Sequence, residues 1–370
     1  FLIYNADING INIESYTDKT ETVDNLYGNA AGGLTGYTNR YVDIKGIVIS
    51  DSNIGTDNKS IYSGGLVGQI SGNGNITYND TTEIKKSTIQ GAVSGGVFGM
   101  YNPGITSEIK DVKIDDSTIL AKRTKHNDYG LSAGGIVGAY DTGTVLSALN
   151  IEINKSVISS YHYKDNCGNP LEIQRIGGLI GYISSGAANG RFYDIKLYDA
   201  IIANLNNDTD PVDVVVPTYK NISQSDNPVK LYATCFTRGT AKPTQVELSE
   251  VNQLDSRYTY KTGTFIGHKV GDSKVSIVKA NVNYTNEKYH CASDIGAEHG
   301  QVNDSQDANN KYMKYIYNTY RSNFKIIYRD IQNTNDTDLN MSNIIPKALK
   351  DGNDNISDYY FADLERILTE

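Results

Sequence analysis

Gly32-Gly33-Leu34-Thr35-Gly36, Gly64-Gly65-Leu66-Val67-Gly68, Gly95-Gly96-Val97-Phe98-Gly99, Gly134-Gly135-Ile136-Val137-Gly138 and Gly177-Gly178-Leu179-Ile180-Gly181 are near-copies of one pentapeptide in the first half of the chain. Their first glycines stand 32, 31, 39 and 43 residues apart. Self-similarity at a period of roughly 30 to 45 residues marks a solenoid, in which each repeat buries its apolar face on the next.

Between the pentapeptides the apolar residues alternate. Val42-Asp43-Ile44-Lys45-Gly46-Ile47-Val48-Ile49, Ile109-Lys110-Asp111-Val112-Lys113-Ile114, Leu149-Asn150-Ile151-Glu152-Ile153 and Phe192-Tyr193-Asp194-Ile195-Lys196-Leu197 each precede a Ser- or Asp-containing step and a second short apolar run. A period of two predicts strands. The glycines suit bends that a Cβ would obstruct, and let successive backbones stack about 4.8 Å apart. The growing spacing falls in polar stretches, 122–128 and 161–170, which read as loops let out from one corner.

Further on the pattern decays. Ala233-Thr234-Cys235-Phe236-Thr237 and Gly263-Thr264-Phe265-Ile266-Gly267 read as later copies, and Ala292-Ser293-Asp294-Ile295-Gly296 as a last one in a capping coil. Residues 204–228 read as an excursion of loop and hairpin. After about residue 300 Asn, Asp and Tyr dominate, and Tyr359 to Leu368 has helical spacing behind Ser357 or Asp358. The predicted architecture is all-β, a parallel β-helix of about eight coils over residues 1–300. Residues 301–370 form a capping or linking segment with a short α-helical or mixed cap.

The 370 residues carry a formal charge of −9, so no basic stripe answers the phosphates of nucleic acid. Nucleic acid is not an expected partner. Cys167, Cys235 and Cys291 are far apart and odd in number and give no disulfide framework. No apolar run of about 18 residues is present, so no transmembrane segment is expected. The start at Phe1, without a Met or a signal region, reads as a piece of something longer.

The glycine-bracketed Leu-(apolar)-Gly pentapeptide, repeated every thirty-odd residues over about 25–300, resembles the GLUG-motif repeats of bacterial surface proteins. These include large cell-wall adhesins and the non-catalytic region of immunoglobulin A-cleaving metallopeptidases. The resemblance implies a right-handed β-helix, secreted or held at the cell surface, that presents a binding surface to a host protein or glycan and is not an enzyme. Gly32, Gly33, Gly36, Gly64, Gly65, Gly68, Gly95, Gly96, Gly99, Gly134, Gly135, Gly138, Gly177, Gly178 and Gly181 carry the motif, and the family assigns no catalytic role to them. Two alternatives stay open: a substrate-positioning domain of a cell-wall metallopeptidase whose catalytic domain lies elsewhere, and a polysaccharide lyase.

Several constellations of side chains could carry chemistry. His290-Cys291 with Asp294, Glu298 and His299 is the one compact set of metal-type ligands, but it lacks the paired second segment that a zinc site uses. Asp351-Gly352-Asn353-Asp354-Asn355 imitates a calcium loop, yet Ala362 stands where the closing carboxylate belongs. No metal or cofactor is predicted. Asp111, Asp115, Asp116, Glu152 and Asp194 are the carboxylates a lyase would gather on one face, although stacking aligns like residues in any solenoid. Tyr37, Tyr101, Tyr140 and Tyr182 follow the pentapeptides by one or two places and are expected to form an aromatic ladder that holds register, or a ligand platform.

Overall fold

The computed structural model describes residues 2–15, 29–55, 60–78, 80–122, 131–162, 174–184, 188–198, 200–206, 218, 231–236, 260–263, 265–269, 274–277, 279–283, 316–320 and 323–327. Over these residues the protein is all-β. Its strands stack in four sheets, almost all of them parallel, an arrangement compatible with a parallel β-helix.

Each of the first five repeats gives one level to every sheet. The strand before the paired glycines, Ala30–Gly32, Tyr62–Gly64, Val93–Gly95, Leu131–Gly134, Gln174–Gly177 or Tyr260–Gly263, lies in a six-stranded lead-in sheet. The strand after them, Thr35–Thr38, Val67–Gly72, Phe98–Pro103, Val137–Tyr140, Ile180–Ile183 or Ile266–Lys269, lies in a six-stranded lead-out sheet. Ser107–Asp115, Val145–Asn154 and Asn189–Tyr198 are the centre of a long sheet, and Thr88–Gly91, Thr118–Lys122, Val157–His162 and Ile201–Asn206 belong to the fourth.

Register is strict through the motif: Gly32, Gly64, Gly95, Gly134, Gly177 and Gly263 are successive partners in one column. The copy at Gly263 to Gly267 therefore stacks as predicted. The one read at Ala233 does not, because Leu231–Phe236 pairs antiparallel with Ile201–Asn206. That segment has no glycine, and the close backbone approach described below cannot be made without one. At the other end, Leu2–Tyr4, Asp7–Asn9 and Asn12–Ile13 add a level that the sequence reading missed, parallel to Tyr41–Lys45, Ile47–Ser50 and Asn53–Ile54.

A hairpin of Ile316–Tyr320 and Asn323–Ile327 joins Lys279–Asn283 antiparallel, so parallel stacking in the long sheet ends there. The expected helix at 359–368, residues 207–217 and 219–228 of the insertion read at 204–228, and His290, Cys291, Asp294, Glu298 and His299 lie outside the described residues, as does the 351–355 turn. Among the described residues no helix is long and apolar enough to cross a membrane.

The interior is built of columns. Ile49, Ile84, Ile114, Ile153 and Leu197 form one, and Ile54, Ile89, Ile119, Ile158 and Ile202 another, all with 0% exposure. Burial of each such side chain contributes about 1.5–3 kcal/mol. β-Branched residues dominate because their stiff χ1 fits the pleat at every level.

Three distinct contacts explain the three glycines, and none of them is a left-handed φ, which is found only at Gly10, Gly46, Gly55 and Gly72 among the described glycines. A Cβ on the first glycine would strike the carbonyl three residues on and the third glycine's amide nitrogen of the next level, as at Gly95 with Phe98 and Gly138. On the second it would strike the next level's second glycine and an isoleucine Cδ1, as at Gly96 with Gly135 and Ile114. On the third, from Gly68 onward, it would meet the backbone of the lead-in strand one level down, as at Gly99 with Ser63.

Two outer corners use the opposite resource. Asn5, Gly46, Asp111, Asn150 and Asp194 bend the long strand with φ between 51° and 62°. Gly10, Asp51, Lys86, Asp116 and Lys155 turn the chain out of it, with φ between 45° and 66°. Gly, Asn and Asp enter this region most readily, which accounts for the Asp-rich steps. After the second corner stand Ser52, Ser87, Ser117 and Ser156, all buried. Each hydroxyl donates to the carbonyl two residues back, at 2.6, 2.8, 2.8 and 2.7 Å. Each also accepts the amide of the level below, from Ile11, Ser52, Ser87 and Ser117 at 3.2–3.3 Å. The result is a serine ladder that closes the turn within a level and joins it to the next.

Candidate binding groove

The residues after the third glycine fall into two columns that point to opposite faces. One place on stand Tyr37, Gln69, Met100, Ala139, Tyr182 and His268; two places on stand Thr38, Ile70, Tyr101, Tyr140 and Ile183. The expected single tyrosine ladder is thus two half-ladders, since an offset of one residue reverses the face in a strand. Tyr101 and Tyr140 lie inside, ring centroids 5.0 Å apart at 90°, with Phe98 5.3 Å from Tyr101. The Tyr140 hydroxyl donates to Thr144 O at 2.5 Å and accepts from Leu146 N at 3.0 Å, and the Tyr101 hydroxyl donates to Val145 O at 3.1 Å.

Burial pushes the Tyr101 phenol up to about 12, outweighing the polar surroundings at Ser107 and Thr144, which pull the other way. Because the folded value lies above the unfolded value near 10, the unfolded chain gives up this proton first. Stability is therefore complete below pH 10 and falls as pH rises from about 10 towards 12, by about 2–3 kcal/mol from this group. Urea titrations across that range should show the fall, and it should be shallower in Tyr101→Phe. Equal slopes would remove the assignment.

Facing outward between the lead-in and lead-out sheets, Ile61, Tyr62, Val93, Met100 and Ala139 form a second, smaller apolar cluster. Further along the same two columns the chemistry turns polar. The Arg175 guanidinium sits 3.9 Å over the Tyr182 ring, which stacks on His268 at 5.7 Å with the planes 1° apart. Desolvation holds the Arg175 pKa below its usual range, against an opposing pull from Tyr182. The sequence reading missed this stack, although Tyr182 and His268 each directly follow a third glycine.

The five carboxylates flagged for catalysis do not gather. Asp111 shares a column with Asn150 and Asp194, and Asn150 Nδ2 donates to Asp111 Oδ1 at 2.6 Å. Asp115 is capped in the same way by Asn154 at 2.7 Å. Glu152 belongs to a column of alternating sign, Glu83, Lys113, Glu152 and Lys196, in which Lys113 approaches Glu83 at 3.9 Å. Asp116 lies at the turn. Among the described residues no three His, Cys, Asp or Glu side chains come together to hold a metal ion.

What does form a concave surface is the corner between the lead-out and long sheets. Tyr37, Ser71, Gly72, Asn102, Pro103 and Gly104 line an open groove there. Ser71 and Gly72 pair in register with Asn102 and Pro103, so the groove is built of like positions from successive levels. Tyr37 is tied across a level by a 2.8 Å hydrogen bond between its hydroxyl and Ser71 Oγ. Gly72 adopts φ +55°, its carbonyl accepts from Gly104 N, and the Pro103 carbonyl accepts from Thr142 and Thr144 hydroxyls at 2.8 and 2.9 Å. Tyr41 and Ile105, from the same corner segments, are exposed large hydrophobics as well.

Tyr37 stood out in the sequence by its place directly after the motif. Ser71, Asn102 and their neighbours did not, because the sequence does not show which turn residues the stacking brings side by side. Comparisons of the chain with protein-family models, curated proteins and solved structures returned no match.

Proposed function

We propose that this chain is a right-handed parallel β-helix of the GLUG-repeat kind, of about eight coils with a capped C-terminal end, acting as a non-catalytic recognition module at a bacterial cell surface. Its role is to hold a binding surface out toward a host protein or glycan. The observation that carries the reading is the contrast between interior and corner. Past the opening level, where Ile3, Ile8, Ile13 and Leu34 are partly exposed, the inward columns are filled with buried side chains, whereas the lead-out corner keeps Tyr37, Tyr41 and Ile105 exposed beside a groove. Exposed aromatics beside a groove on a rigid, repetitive scaffold suit recognition.

Immobilised protein should bind saturably to at least one member of a panel of host matrix proteins, mucins and glycans. Absence of binding to the whole panel would overturn the proposal, and so would measurable cleavage of a polymer.

A further inference from the structure

Resting on that recognition reading, we infer that the lead-out groove is a subsite for a neutral polysaccharide, laid along the direction in which the strands stack. Four observations converge on this ligand class. First, the lining of Tyr37, Ser71, Gly72, Asn102, Pro103 and Gly104 carries no ionisable acid or base other than the phenol. It offers an aromatic ring for the C–H face of a sugar, and a hydroxyl and a primary amide for its hydroxyls.

Second, the parts are held in place before any ligand arrives. The Tyr37–Ser71 hydrogen bond ties the phenol to the level above, and the floor at Gly72 and Gly104 is bare backbone: a Cβ on Gly104 would stand 3.0 Å from Gly72 O. Third, the polar line does not stop at the groove. Asp141 and Ser184 continue it over the next levels, their amides donating to Tyr101 O and Tyr140 O at 2.9 and 3.1 Å, with Ser184 Oγ donating to Asp141 Oδ1 at 2.7 Å. Levels about 4.8 Å apart match the length of one pyranose ring, so consecutive sugars would meet equivalent positions.

Fourth, charge selects against the acidic members of the class. Asp141 lies on the line itself, and the whole chain carries −9. A peptide fits less well. Val67–Gly72, which forms one wall, is already paired on both sides by Thr35–Thr38 and Phe98–Pro103, so a peptide adding as a strand would have to take the outer edge of Thr35–Thr38, away from Ser71 and Asn102.

The test uses the full chain with cello-, manno-, malto- and chito-hexaose, their disaccharides, and polygalacturonate, by titration calorimetry. At least one neutral hexasaccharide should bind, more tightly than its disaccharide, with polygalacturonate weaker. Tyr37→Ala and Asn102→Ala should each weaken it by about fivefold to tenfold, with the thermal midpoint nearly unchanged. Tyr37→Phe, which keeps the ring, should lose less. Failure of all four hexasaccharides to bind, equal binding of polygalacturonate, or affinity unmoved by both alanine variants overturns the inference. Binding to matrix proteins without any sugar binding overturns it too but leaves the recognition reading intact, whereas no binding to anything removes both.

Discussion

Gly135→Ala is expected to cost about 3 kcal/mol or more, at the upper end of what overpacking does, and to replace the cooperative unfolding transition by a lower and broader one. The added methyl would lie closer than 3.0 Å to Gly178 O and to Ile153 Cδ1. The isoleucine can move, but the carbonyl belongs to the next level's backbone, and shifting it disturbs the glycine column above. Ile153→Val in the same chain should therefore restore only part of the loss. Gly10→Ala is the control: nothing lies within 4 Å of its Cβ, and its φ of +66° leaves only the strain of a left-handed alanine, about 1–2 kcal/mol. Urea denaturation of the three variants separates the contributions. Full rescue by Ile153→Val would mean that stacked carbonyls are not what excludes a side chain.

Ser117→Ala is expected to destabilise by about 2 kcal/mol, well beyond the usual worth of one neutral hydrogen bond, because it takes away an acceptor inside a closed corner. Its hydroxyl is the acceptor for Ser87 N and the donor to Asp115 O. Ser87→Ala removes the next rung, whose hydroxyl serves Ser52 N and Lys85 O; the bond from Ser87 N to Ser117 Oγ runs from a backbone amide that alanine keeps, so no bond is lost twice and the double variant should cost about the sum of the two losses. The ladder stops at Ala200, which occupies the serine position above Ser156: Ile201 N donates to Ser156 O at 2.8 Å, just as Val157 N donates to Ser117 O. Ala200→Ser offers Ser156 N the acceptor that its counterparts have, and should stabilise by about 0.5–1 kcal/mol. A loss of about 1 kcal/mol or less at Ser117→Ala, or a loss at Ala200→Ser, would show that the acceptor offered to the neighbouring level contributes nothing.

Particular residues show how far reading the chain could go. The alternation in Ile109 to Ile114 and Leu149 to Ile153 led directly to the long sheet, since a period of two leaves one face for the core. The copy at Gly263 was correctly placed by its glycines. The copy at Ala233 was misplaced because an apolar pair between small residues looks alike whether the strand stacks parallel or folds back. The opening level at Leu2 to Ile13 was passed over because it lacks the pentapeptide, although Asn9-Gly10 and Ile11 match Ser50-Asp51 and Ser52 of the next level.

For the candidate site, the sequence supplied Tyr37 but assigned it to the same ladder as Tyr101, Tyr140 and Tyr182. A single residue of offset after the third glycine separates the ring packed inside from the ring left outside, and only registered pairing shows it. The flagged carboxylates illustrate the converse. Alignment by repeat suggested a cluster, but their levels are interleaved with Asn150, Asn154, Lys113 and Lys196, which break up the negative charge.

By itself the sequence determined that strands of alternating polarity recur between glycine bends, because local periodicity and the absence of a Cβ are properties of the chain at each residue. Tertiary structure alone decided which turns lie side by side, and hence the serine ladder, the Arg175–Tyr182–His268 stack and the groove at Tyr37. Apart from Arg175 over Tyr182, these depend on contacts between residues 30 to 86 positions apart in the chain, and only the register in which one level settles on the next brings them together.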